Sequence, residues 1–106
     1  MKQYTTPEQT AKLIELGFAR PRIAAAGLKW EDGVPTIYQQ YTIGELIKIL
    51  KEVTSVVISY SYQKNGYYVR VIIPKREGGG MCRIIRIELV DALYDMILKL
   101  KEEGVI

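Results

Sequence analysis

Along the chain, apolar positions change period several times, and each change marks an element. Leu13, Ile14 and Phe18 recur at one-turn spacing, with Ala11 and Leu16 close by. Ahead of them Thr6 is a good N-cap, Pro7 sits where a missing N–H costs nothing, and Gln9 completes a Thr-x-x-Gln capping box. Gly17 offers the left-handed residue that ends helices. The pattern predicts a helix over 7–16, with Phe18 folding back onto it. A second capping box, Thr42-Ile43-Gly44-Glu45, opens a short helix over 43–51 that buries Leu46, Ile47, Ile49 and Leu50. A third amphipathic stretch, about 88–103, sets Leu89, Leu93, Met96, Ile97 and Leu100 on one stripe, and Gly104 closes it.

Between these helices the period falls to two. Val56–Tyr62 and Tyr67–Ile73 flank Asn65-Gly66, the preferred pair for a two-residue type I′ turn. That turn predicts Tyr62 opposite Val69, Tyr60 opposite Val71 and Ile58 opposite Ile73, all on one apolar face. The other face would then be mixed, with Tyr68, Arg70, Ser59 and Ser61. Pro74 stops the second strand. Met81–Ile87 reads as a third strand, returning beside the second after the Lys75-Arg76-Glu77-Gly78-Gly79-Gly80 loop. Residues 19–40 are less legible: Trp30-Glu31-Asp32-Gly33 suggests a strand running into a turn, and Thr36–Tyr41 its return. The expected architecture is one α+β domain over 1–106, an antiparallel sheet centred on the 56–73 hairpin with N- and C-terminal helices packed on one face.

Composition narrows the chemistry. The chain has 106 residues, no histidine and a single cysteine. An imidazole base, a His metal ligand, an intrachain disulfide and a Cys-His dyad are therefore all excluded. No apolar h-region follows the first positive charge, and no apolar run approaches the roughly 18 residues that a bilayer span needs. The expected location is cytoplasmic, with no membrane partner and no cofactor. The net charge of +3 is unevenly spread. Residues 64–86 carry six basic residues against Glu77, a surplus of five, while the rest carries nine basic against eleven acidic.

Three stretches also carry a resemblance: Thr6-Pro-Glu-Gln-Thr-Ala-Lys-Leu-Ile-Glu-Leu-Gly-Phe18, then Tyr41-Thr-Ile-Gly-Glu-Leu-Ile47, then Leu89-Val-Asp-Ala-Leu-Tyr-Asp-Met96 ahead of Glu103-Gly104. In this order they resemble small uncharacterised proteins of gut Bacteroides-type bacteria and their prophages or mobile elements. The likeness covers about half the chain and consists of capping boxes and helix cores. It implies a context and no reaction.

Each candidate for chemistry has a plainer reading. Cys82 could be a nucleophile activated by Arg83, but beside Met81 and Ile84 it is more simply a small strand hydrophobe. Glu88, Asp91 and Asp95 could hold a hard cation, yet three carboxylates at helical spacing are commonly a solvated stripe. Gly78-Gly79-Gly80 lacks the P-loop lysine and serves as a strand connection. No carboxylate, tyrosine or lysine pair suggests a tuned acid–base site, so an enzyme is not expected. Two binding functions remain. Tyr38, Tyr41, Tyr67, Tyr68 and Tyr94 have no evident buried role, and with Trp30 they suggest a protein-interaction module. Tyr67, Tyr68 and Trp30 are its foremost candidates. Self-association, as a homodimer, could use Met81–Ile87 as an open edge or the sheet's open face. The alternative is nucleic-acid binding by the basic hairpin, through Lys64, Arg70, Lys75, Arg76, Arg83 and Arg86, with Tyr68 available to stack a base.

Overall fold

A computed structural model describes the backbone of residues 2–21, 26–73 and 80–106, and their side chains except at 26–31 and 35–39. The class is α+β. In chain order the elements are α1 (Pro7–Glu15), β1 (Ala26–Glu31), β2 (Val34–Gln39), α2 (Ile43–Lys51), β3 (Ser55–Ser61), β4 (Gly66–Ile73), β5 (Gly80–Arg86) and α3 (Leu89–Glu102).

Both predicted capping boxes form. Thr6 and Thr42 each accept a hydrogen bond from the backbone three residues on, and Gln9 and Glu45 each accept the reciprocal bond from the cap. At the other end of α1, Gly17 takes φ +97°, and Phe18 N–H donates to the Leu13 carbonyl at 3.1 Å. Gly104 repeats the device after α3, with Val105 N–H on the Leu100 carbonyl. Helices of 9 residues are marginal in isolation. Their stability comes from burial: Leu13 of α1 and Leu46 and Leu50 of α2 are fully buried.

The main sheet is antiparallel, in the order β3-β4-β5. Its helix-side face is built by Val69, Val71 and Ile73 of β4 and by Cys82 of β5, all buried. Helix α3 lies over β4 and β5, and α2 packs between α3 and the start of β3. From α3 come Leu89, Val90, Leu93, Met96, Ile97 and Leu100, every one buried. Cys82 thus behaves as a core residue. The acidic residues of α3 are not a solvated stripe. Asp91 takes hydrogen bonds from Lys2 Nζ at 2.7 Å and Gln9 Nε2 at 2.9 Å, and Glu88 takes one from the Lys2 backbone. They strap the N-terminal segment to the C-terminal helix.

The hairpin's register differs from the expected one. Ile58 faces Val69, Val56 faces Val71 and Tyr60 faces Tyr67, and the closing pair is Ser61 with Gly66. The strands are offset by four residues, so each side chain that remains in the ladder keeps its face while every partner changes. Residues 62–65 form the loop, with Asn65 at φ +50°. The expected register would have set Val57 opposite Pro74 and left Val56 beyond the end of its partner. The observed one matches the Val56-Val57-Ile58 run to Val69-Arg70-Val71. Gly66 also has another task. A Cβ there would lie 2.9 Å from the Arg86 carbonyl oxygen, so β5 can approach only a glycine.

Three tyrosine assignments are corrected. Tyr41 is 2% exposed and belongs to the core: its hydroxyl donates to the Ala19 carbonyl at 2.6 Å, and its backbone pairs with Thr5. Burial foremost, then the nearby Glu45 charge, pushes its phenol pKa up, although Arg20 opposes the shift. Tyr62 leaves the apolar face altogether, lying in the loop at 90% exposure. Tyr94, expected at the surface, is partly buried against the core. β1 and β2 form a second, two-stranded sheet that turns at Asp32-Gly33, both at positive φ, as the Asp-Gly pair predicts.

Candidate interaction surface

The sheet's second face is made by alternate residues, and the register places them in rows. Ser55, Ile72 and Met81 form one row; Val57, Arg70 and Arg83 the next; Ser59, Tyr68 and Ile85 a third. Helices α2 and α3 lie on the opposite face, whose β4 residues are buried. Here Arg70 and Arg83 are exposed, as are Val57, Ile72 (42%) and Met81 (56%). None of the strand residues on this face is a carboxylate.

Arg70 and Arg83 are direct cross-strand partners. Like charges directly opposite one another on a sheet are destabilising, and no acidic strand neighbour offsets this pair. Beside them Lys64, from the β3–β4 loop, reaches over Tyr68. Its ammonium lies 5.7 Å from the ring centroid and 3.4 Å from the phenol oxygen. The face therefore combines three cations, an aromatic ring and three exposed apolar side chains, Val57, Ile72 and Met81.

The predicted site residues divide three ways. Lys64, Tyr68, Arg70 and Arg83 come together on this surface. Arg86 does not join them: it pairs with Tyr67, one residue out of phase with Arg83, and so belongs to the helix side. There its Nε donates to Asp95 at 2.7 Å and a second nitrogen to the Ile85 carbonyl. Tyr67 is likewise on the helix side, part of an aromatic group in which Tyr60 meets Tyr62 and Tyr67 edge-on, both at 5.0 Å. Tyr67 and Tyr68 thus cannot serve one partner surface. Lys75 and Arg76 lie outside the described residues, and the side chains of Trp30 and Tyr38 do too.

The aromatic group exposes a place the sequence reading missed. Ile58 and Tyr60 point to the helix side, yet they remain 37% and 40% exposed. The helix layer reaches only the start of β3, so the far half of this edge strand is uncovered. The signal was present in Ser55–Ser61, a strand with no charged residue, but only the topology makes it an edge.

A concave region lies between Ala19-Arg20 and α2. It is a cleft of about 340 Å³ lined by Tyr41, Gly44, Glu45, Lys48, Ile49 and Glu52. Its cations and carboxylates alternate, so it selects neither sign of ligand. Among the described residues no three His, Cys, Asp or Glu side chains gather as metal ligands. Among them too, no helix is long and apolar enough to cross a membrane. No family model, curated protein or solved structure matches the chain.

Proposed function

We propose that the protein is a non-enzymatic accessory module, cytoplasmic and of prophage or mobile-element origin, that binds a single-stranded nucleic acid on the uncovered face of the β3-β4-β5 sheet. The observation that supports this reading is the cross-strand Arg70–Arg83 pair on a face whose strands carry no carboxylate. A phosphate strand supplies the counter-charge that no strand residue of this face provides. Tyr68 and the neighbouring apolar side chains offer sequence-tolerant contacts to bases, and Lys64 extends the positive line beyond the hairpin. An open sheet face suits a flexible single strand whose bases can be splayed against it. Arg86 has no part in this surface, being engaged by Asp95.

Fluorescence-anisotropy titration of single- and double-stranded oligonucleotides at about 50 and 200 mM salt tests the reading. Three cations on phosphates predict a slope near −2 in log K against log salt, or roughly a 20-fold loss between those concentrations. Arg70→Glu with Arg83→Glu should abolish binding and leave the circular dichroism spectrum unchanged. Arg86→Gln should leave binding within about twofold. Flat curves at both salts, or binding indifferent to the double reversal, would overturn it.

A further inference from the structure

We infer that β3 is a dimerisation edge, on which a second copy of this chain pairs antiparallel to its own β3 and joins the two sheets into one of six strands. This goes beyond the nucleic-acid reading and does not depend on it.

The two edges of the sheet are chemically unlike. The outer edge of β5 belongs to a strand with Arg83 and Arg86, and a second β5 laid against it would bring arginines together. Charged residues of this kind are how natural edges resist pairing. β3 reads Ser-Val-Val-Ile-Ser-Tyr-Ser, with neither charge nor proline, and every residue but Val56 and Ser61 is exposed. Its outer N–H and C=O groups face no strand among the described residues.

The strand is also complementary to itself. An antiparallel register centred on Ile58 pairs all seven residues and sets Ile58 against Ile58 of the second copy. On the helix side Val56 then meets Tyr60 of the copy, and Tyr60 meets its Val56. On the other side Val57 meets Ser59, and Ser55 meets Ser61. Apolar and β-branched–aromatic pairs, which stabilise sheets, fall on one face, and serine–serine and valine–serine pairs fall on the other. Ile58 and Tyr60, left open by the helix layer, become covered. No like charges meet, which is why a second copy fits this edge better than β5. The two-fold axis is perpendicular to the sheet, so both helix layers share one side and both arginine faces the other.

The test is sedimentation equilibrium of the full chain across a concentration series, with variants. A dimer is expected, and Ile58→Lys should be a folded monomer because it puts two lysines together on the axis. Ile58→Glu alone should also be monomeric, while an equimolar mixture of the two should restore a heterodimer. Ser59→Lys, at an exposed polar position, gives a second weakening variant should the Ile58 changes disturb folding. Met81→Lys, on β5, should leave the dimer intact. A wild-type monomer at hundreds of micromolar, a dimer that survives both Ile58→Lys and Ser59→Lys, or a dimer lost in Met81→Lys would each overturn the inference. So would a mixture of folded lysine and glutamate variants that stays monomeric.

Discussion

The two β-hairpins each carry an acid- or amide-glycine pair at the bend, and they use it differently. In β1–β2, Asp32 and Gly33 are the two turn residues, at φ +50° and +77°, and the strands pair up to Glu31 and Val34 on either side. In β3–β4, only Asn65 takes positive φ, as the last of four loop residues, and Gly66 is already in the strand. Locally the dipeptides favour the same turn. The difference lies in what the flanking strands must meet. Among the described residues β1 and β2 pair only with each other, so the turn is free to set their register. β4 is the central strand of a sheet and must satisfy β3, β5 and α3 together, and those contacts override the turn. A turn motif therefore reports register well at a two-stranded hairpin and less well where a third strand leans on the glycine.

Gly66→Ala should separate these roles most sharply. Its Cβ meets the backbone of β5 rather than a torsional limit, and overpacking of that kind costs about 2–3 kcal/mol. Urea denaturation should record that loss, and amide exchange should speed up along β5 before it does along β3. Gly33→Ala meets no atom within 4 Å, yet it must hold φ +77°. It should cost about 1–2 kcal/mol, with faster exchange confined to β1 and β2. If Gly66→Ala proved as mild as a surface change, the close approach of β5 would not be what fixes this glycine.

Asn65→Ala ranks next. It keeps a positive φ without the side chain that tolerates it, and it removes the Tyr60 hydroxyl bond to Asn65 Oδ1, observed at 2.7 Å. A loss of about 1 kcal/mol is expected in the same denaturation assay. Tyr60→Phe, which removes only that exposed bond, should cost roughly 0.5 kcal/mol or less. Equal effects from the two variants would mean that the hydrogen bond, rather than the backbone conformation, holds the loop.

The smallest effect is on acid stability. Burial pushes the Asp91 carboxyl up, but hydrogen bonds from Lys2 and Gln9 and the charges of Lys2 and Arg86 outweigh it and hold the group below 3.8. The stabilisation it provides is therefore complete above about pH 4–5 and is lost as the pH falls through the folded-state value. Asp91→Asn should flatten that part of the stability profile. The β3–β4 hairpin has no carboxylate, so its amide exchange should not follow the same titration.

The helices and strands were legible because each is specified by neighbours in sequence: two capping boxes, two C-terminal glycines, an alternating hairpin. Side-chain faces were legible too, since an offset of four residues preserves them. Partners were not, because pairing is decided by how β3 matches β4 along their length and by the strand that later packs on Gly66. The candidate surface was visible in part. Lys64, Tyr68, Arg70 and Arg83 are joined by alternation, whereas the removal of Arg86 depends on a single residue of phase and on Asp95 one helix away. Tyr41 could not be read as core, since its partners Thr5 and Ala19 are distant along the chain. Coverage of β3 was illegible for a similar reason: it depends on where helices end in space.

The helix that lies over β4 and β5 is also synthesised after every strand of the sheet it covers. While β3, β4 and β5 are emerging, the apolar face of Val69, Val71 and Cys82 has no α3 to cover it, and the strap from Lys2 has no Asp91 or Glu88 to grip. The Lys2 segment therefore stays loose, and the sheet half-made, until residues 89–102 arrive. During that interval the uncharged β3 edge is most exposed to neighbouring chains, and chaperone demand should be highest then.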